Sequence, residues 1–360
     1  MQSRADTRVA LIGFGYAGRV FHAPLIAATP GLSLTVIGSR QGQAARSAYP
    51  GAEIVSDPQA AVRHRDIDLV VVATPNDTHA PLAEAALRAG KHVVVDKPFT
   101  ITLAEARALA ASAVQVERIV SVFQNRRWDS DFLGIGRELA GGRIGEVVEL
   151  RSEMSRWRPE VRDRWRERPG PGSGIWYDLG PHLIDQALVL FGPPETVQAD
   201  FQAQRPGGST VDWFHAVLGY GRRRVILECS MLATDSTKRF LVRGTSGSLT
   251  KRGGDPQEAQ LVAGEKPGSP GWGQDADPVL FVSPEIRAPA EAAAPAGNYL
   301  SYYVAVRDAV RGEREPPVTP AQATTVMSVV EAGLQSSSEG RVVSPRYTEA
   351  ERSAWRPVVQ

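Results

Sequence analysis

The stretch VALIGFGYAGRV, Val9 to Val20, puts Gly13, Gly15 and Gly18 directly after a β-branched apolar run and at the opening of a helix-forming segment. That spacing in a strand, turn, helix context suits a dinucleotide. The first glycine permits the tight turn, the second lets a pyrophosphate approach the backbone, and the third lets helix and strand pack closely. The helix N-terminus then meets the phosphate charge. Phe14, Tyr16 and Ala17 fill the same turn and join the three glycines as candidate cofactor contacts. Pro24, in RVFHAPLI, is expected to break or kink the helix after about one turn. His22, just before that break, either faces the cofactor or caps and packs.

VALIG, LTVIGS, AEIV, DLVVVATP, HVVVDKP and RIVSVF read as strands, with helices between several of them, clearest in HAPLAEAALRAG and LAEARALAASAV. Strands of continuous apolar residues alternating with helices imply a parallel sheet covered on both faces. Residues 1–123 are therefore expected to form a doubly wound, Rossmann-type domain. After Phe123 the rhythm changes: a helix near Asp129 to Ala140, then the alternating strands EVVELRSEM, VDWFHAVLGY, RRVILECSML and KRFLVRG. This predicts an α+β domain over residues 124–360, with an open, mostly antiparallel sheet and helices on one face. Within it, Gly253 to Gly297 is rich in Gly, Pro and Ala and reads as loop with one or two short strands. NYLSYYVAVRDAVRG and PAQATTVMSVVEAGLQSS read as closing helices. The fold class is α/β, and the 360-residue length fits two domains or three.

An NAD-specific site usually carries Asp or Glu at the end of the second strand to bind the ribose hydroxyls. Here VIGSRQ puts Ser39 and Arg40 at that place. An uncharged donor followed by a guanidinium suits a 2′-phosphate, so NADP is expected over NAD. An ordinary surface arginine is the alternative, because only five of the 41 basic residues are lysines. The same bias makes Lys97 conspicuous. VVVDKPF sets Asp96, Lys97 and Pro98 at the C-terminal end of a strand, the edge where doubly wound sheets bind ligands. Such a site either forms a plain turn or needs a compact ammonium whose acidity burial can tune, which a guanidinium cannot offer.

GIWYDLGPHLID, Gly174 to Asp185, places two carboxylates and a histidine in an otherwise apolar helix. Pro181 is expected in the first turn, so the helix should begin near Asp178. Asp178, His182 and Asp185 then share one face. Singly, Asp178 reads as a dipole-favoured helix start and His182 as a core histidine. Together with Lys97 they supply what oxidation of an alcohol needs besides the nicotinamide, a proton acceptor and a cation for the developing alkoxide. A cleft between the domains would join them.

GFGYAG, ATPNDTHAPLAEAALRAGKHVVVDKPF and GSGIWYDLGPHLIDQALVLFG together resemble the Gfo/Idh/MocA oxidoreductases. GRVFHAPLI and QNRRWDSDF are similar to the family's branch of NADP-linked scyllo-inositol dehydrogenases and sugar reductases. The resemblance implies catalytic roles for Lys97 and His182, with Asp178 assisting, and a cofactor site lined by Thr74, Pro75, Asn76 and His79. It also implies an exposed sheet face that packs on another subunit, as a homodimer or homotetramer. The commoner family residue before the lysine is Glu; Asp96 shortens the side chain and keeps its charge. Asp96 and Asn125 join the cofactor candidates, and Tyr177 the substrate candidates. The loop RWRPEVRDRWRERPGPG either covers the cleft, with Trp165 and Arg166 touching cofactor or substrate, or is a solvated basic loop. Trp157 is a further substrate candidate, since an aromatic face can cover the C–H side of a sugar.

Forty-one basic against 40 acidic residues leave a formal charge of +1, so no strong field draws the chain to nucleic acid or an anionic membrane. No apolar run approaches the roughly 18 residues of a spanning helix, and the polar opening MQSRADTRVALIGFG shows no secretory signal, so a cytoplasmic protein is expected. The single cysteine, Cys229, reads as a buried thiol. The six histidines are scattered with no paired-ligand spacing, so no metal is expected and a hydrolase using Asp178, His182 and Asp185 is the weaker reading. A dinucleotide-sensing regulator that does not catalyse is the other rival. The expected substrate is a small polyol or sugar.

Overall fold

The computed structural model describes residues 6–235 and 238–359. The chain divides into two compact units, one of residues 1–125, 257–272 and 298–324, the other of residues 126–256, 273–297 and 325–360. Segments 257–272 and 298–324 thus pack with the dinucleotide-type unit, although by sequence position they fall within 124–360.

The first unit is built on six strands, β1 Thr7–Ile12, β2 Leu32–Gly38, β3 Glu53–Val55, β4 Leu69–Val72, β5 His92–Val95 and β6 Val120–Val122. They lie in the order β3-β2-β1-β4-β5-β6 and every pairing is parallel. The chain runs outward from β1 to β3 and returns to β4, so the order reverses between β1 and β4, where open α/β sheets bind ligands. Val70 to Val72 and Val93 to Val95 are wholly buried, which is why these strands read as unbroken apolar runs. Helix Leu103–Gln115 opens with a capping box in which Thr102 and Glu105 each satisfy the other's main chain. The segment carrying Pro24 is not broken. A wide turn over Gly18–His22, closed by the Ala23 N–H on the Gly18 carbonyl, leads straight into helix Ala23–Ala28, where Pro24 occupies the first turn and needs no N–H.

At the start of β5, His92 Nδ1 accepts the Ile119 N–H at 3.2 Å. Burial, helped by the Arg118 charge, lowers its pKa to about 4. The unfolded chain therefore binds a proton that the folded one refuses. Stability is expected to fall as pH drops from about 6.5 toward about 4, and His92→Gln to flatten that decline in urea titrations; equal slopes would contradict it.

The second unit holds β7 Val147–Glu153, β8 Thr196–Gln202, β9 Trp213–Tyr220, β10 Arg223–Ser230, β11 Phe240–Gly244, β12 Ser248–Lys251, β13 Val279–Val282 and β14 Ala290–Ala292. They form one open sheet, β14-β13-β12-β11-β7-β10-β9-β8, antiparallel except where β7 and β10 run parallel. The glycine- and proline-rich stretch supplies β13 and β14 and also helix Gln257–Val262, which its composition does not announce.

Helix Gly174–Phe191 starts a full turn before Asp178, and Pro181 lies inside it. The loss of one N–H at Pro181 is offset by packing upstream. The Trp176 Nε1–H donates to the Val330 carbonyl at 3.1 Å, and the Ile175 N–H to the Val211 carbonyl at 2.7 Å. A Cβ on Gly333 would stand 2.5 Å from the Trp176 ring, so only glycine allows that approach. Cys229 is buried, and burial pushes its thiol pKa up, which leaves it unreactive. Among the described residues no helix is long and apolar enough to cross a membrane.

Candidate functional site

Because β1, β2, β4 and β5 are parallel, the residues that follow them emerge at one edge of the sheet: Gly13 to Gly18, Ser39 and Arg40, Thr74 to Asn76, and Asp96 with Lys97. Gly13 has φ +100°, and a Cβ there would lie 2.2 Å from the Ala73 carbonyl oxygen. A Cβ on Gly18 would lie 2.0 Å from the Gly13 carbonyl oxygen, whereas one on Gly15 would meet nothing within 4 Å. The turn is thus packed shut at its first and third glycines and open at its second, which fits a pyrophosphate laid against the main chain. Phe14 is buried edge-on to Tyr49, so only its main chain can face a ligand. Tyr16 is half exposed and its hydroxyl donates to Glu258 at 3.0 Å. Ala17 is partly covered beside it.

Ser39 is buried and its Oγ accepts the Gln41 N–H at 3.0 Å, while Arg40 is exposed. After β4, the Thr78 hydroxyl donates to the Thr74 hydroxyl at 2.6 Å, and Pro75 leads into the turn Asn76–Thr78 with Asn76 buried. The His79 ring lies between two carbonyls, Nδ1 at 2.8 Å from that of Pro98 and Nε2 at 3.0 Å from that of Thr74. It ties together the loops that follow β4 and β5.

Lys97 is buried at that edge, 9% exposed. Its main-chain N–H donates to Asp96 Oδ1 at 2.9 Å, and the same oxygen lies 3.7 Å from His22 Nε2. Burial opposes ionisation of Asp96, but the adjacent His22 ring, with the charges of Lys97 and His79, holds its pKa below the usual carboxylate range. Asp96 therefore holds the lysine's backbone. His22 is wholly buried, its Nδ1 2.6 Å from the Tyr303 hydroxyl, and so takes the packing role of its two readings. Nothing local signals Tyr303, 281 residues further along the chain. Asn125, also buried, opens the turn Asn125–Trp128.

In the second unit, helix Gly174–Phe191 carries Tyr177 and His182, both buried, and Asp178, which is partly exposed. The i, i+4 spacing puts Asp178 and His182 on one face. Asp178 Oδ1 lies 3.5 Å from Arg166 Nε, and the Arg166 guanidinium stacks over the Trp165 ring at 4.7 Å. Trp157 is 56% exposed and pairs with Leu232 through its main chain. Asp185 is held by Arg127 through two hydrogen bonds, of 2.7 and 2.8 Å, which occupies it structurally. Among the described residues no group of three or more His, Cys, Asp or Glu is placed to hold a metal ion.

Residues 7–124 match the family pattern described as "Oxidoreductase family, NAD-binding Rossmann fold", and residues 137–344 that described as "Oxidoreductase family, C-terminal alpha/beta domain". The chain is 52% identical over 334 residues to the uncharacterized oxidoreductase YdgJ of Escherichia coli K12, covering 92% of this chain and 96% of that one. It is 35% identical to scyllo-inositol 2-dehydrogenase (NADP(+)) IolW of Bacillus subtilis, over 94% of this chain and 96% of that one. A solved structure from Klebsiella pneumoniae superposes with a TM-score of 0.91 at 46% identity, covering 98% of each chain. With both halves matched in order and the glycine turn, the lysine after β5 and the histidine helix in place, the chain belongs to the Gfo/Idh/MocA family of oxidoreductases.

Proposed function

We propose that the protein is an NADP-dependent oxidoreductase acting on a secondary hydroxyl, or the matching carbonyl, of a cyclic polyol or sugar. The observation that carries this is Lys97, an amine set at the same sheet edge as the open glycine turn and braced through Asp96. Bound NADP would supply the hydride acceptor. His182 takes the hydroxyl proton, Lys97 stabilises the oxygen as negative charge develops, and Asp178 orients substrate or histidine. Gly13 to Gly18 receive the pyrophosphate, Thr74, Pro75, Asn76 and His79 shape the nicotinamide side, and Asn125 borders it. Trp157, Trp165, Arg166 and Tyr177 meet the substrate. The 35% identity to an NADP(+)-linked scyllo-inositol dehydrogenase supports the substrate class.

Ser39 and Arg40 follow β2, where a carboxylate would repel the 2′-phosphate. A charge-assisted bond there is worth about 1.5–3 kcal/mol. Arg40→Ala should therefore lower kcat/KM for NADPH by roughly 10- to 100-fold and leave that for NADH nearly unchanged. Parallel steady-state assays with both cofactors check this; equal losses would show Arg40 to be a surface residue only.

A further inference from the structure

We propose that the second unit holds an anion pocket beside Asp178 that takes a carboxylate or phosphate carried by the substrate; this rests on the redox reading above and narrows its substrate class. Five arginines line the pocket, Arg156, Arg158, Arg164, Arg166 and Arg205, against three carboxylates, an excess of two positive charges.

Each carboxylate is already engaged. Asp212 and Glu167 bind Arg205 at 2.9 and 3.2 Å, and Glu167 also binds Arg164 at 2.6 Å. Asp212 accepts two further bonds, from the Gln204 and Arg205 N–H groups at 2.7 and 3.1 Å. Asp178 faces Arg166 at 3.5 Å. Arg205, itself 5% exposed, serves the structure, since it also donates to the carbonyls of Arg158 and Glu160.

Arg156 is different. Among the described residues it has no ion-pair partner, though it is partly covered and lines the pocket. Its main chain is fixed, with the N–H on the Ser230 carbonyl at 2.8 Å and its carbonyl accepting the Ala233 N–H at 3.2 Å. Arg158 is likewise pinned by its N–H on the Met231 carbonyl at 2.8 Å. Residues two apart on an extended segment project to the same side, so the two guanidinium groups point one way. Holding the Arg156 guanidinium without an ion-pair partner in a half-covered site is unfavourable unless an anion enters it. Guanidinium forks match carboxylate and phosphate oxygens.

The pocket also adjoins the chemistry. Gly174, Ile175, Asp178 and Leu179 of the helix line it, and His182 follows one turn on, about 6 Å along the axis. An anionic group held at Arg156 and Arg166 therefore leaves a ring hydroxyl of the same molecule within reach of His182. Sugar acids and sugar or polyol phosphates have this form.

The test is calorimetric titration of the full-length protein saturated with NADP+, using glucuronate, galacturonate, glucose 6-phosphate and myo-inositol 1-phosphate, each against its uncharged parent. At least one anionic member should bind tenfold or more tightly than its parent, and the tighter arm, carboxylate or phosphate, identifies the group. Arg156→Ala should erase that preference without changing affinity for the uncharged parents, and Arg156→Lys should keep part of it. No anionic preference in the wild type, or one that survives Arg156→Ala, overturns the pocket. Because the readout is binding, a preference that vanishes in Arg156→Ala without any turnover would sustain the pocket and count against the redox reading alone.

Discussion

Lys97→Met is expected to lower kcat by about 10²- to 10⁴-fold while changing the NADPH dissociation constant by less than tenfold. The side chain is nearly the same length and apolar along its stem, so the substitution keeps the bulk and removes the ammonium. It is the main-chain N–H of Lys97, kept in the variant, that Asp96 holds. In the proposed reaction the cation that disappears is the one that steadies the substrate oxygen, whose value is greatest when that oxygen carries most charge, so the loss should fall on kcat more than on KM. A kcat within threefold of wild type, on a substrate the protein turns over, would remove Lys97 from the chemistry.

The second large effect separates cofactor binding from folding. Gly15→Ala should weaken NADPH binding by roughly 10- to 100-fold, the loss of one or two charge-assisted contacts, and leave the unfolding midpoint in urea unchanged. The protein itself offers no obstacle, since a Cβ at Gly15 meets nothing within 4 Å. On the proposed cofactor site the obstacle is the pyrophosphate. Gly18→Ala should behave in the opposite way, because its Cβ would lie 2.0 Å from the Gly13 carbonyl oxygen and the helix would have to shift. If Gly15→Ala binds NADPH as the wild type does, the pyrophosphate does not lie on this turn.

These contrasts also show which parts of the molecule are legible in a single sequence. The parallel strands are, because burial on both faces forces unbroken β-branched runs such as Val70 to Val72 and Val93 to Val95. The glycine turn is, because close approach admits no side chain. The helix start before Asp178 is not. The rule that proline belongs in a first turn is local, whereas the bonds that extend the helix upstream come from Val211 and from Val330, the latter 154 residues from Trp176. Helix Gln257–Val262 escapes for a similar reason: its Gln257 side chain accepts the Tyr299 N–H, a partner that composition cannot supply.

The candidate site divides in the same way. Lys97 and His182 stand out through residue type and position. The packing of His22 against Asp96 and Tyr303 depends on chain segments far apart in sequence, so the sequence leaves its role open between cofactor and core. The basic loop before the histidine helix has the composition of a solvated surface. Only the structure shows that Arg205 and Arg164 engage Glu167 and Asp212, while Arg156 has no ion-pair partner among the described residues.

The most direct measurement is the change in NADPH absorbance when the purified protein meets a panel of inososes, ketoses, aldoses, anhydrosugars and their acidic derivatives, with NADH run beside it. Oxidation of NADPH by at least one cyclic or sugar carbonyl is expected, at a kcat/KM well above that with NADH. Tight NADPH binding with no turnover anywhere on the panel would contradict it and favour a protein that senses the dinucleotide instead of using it.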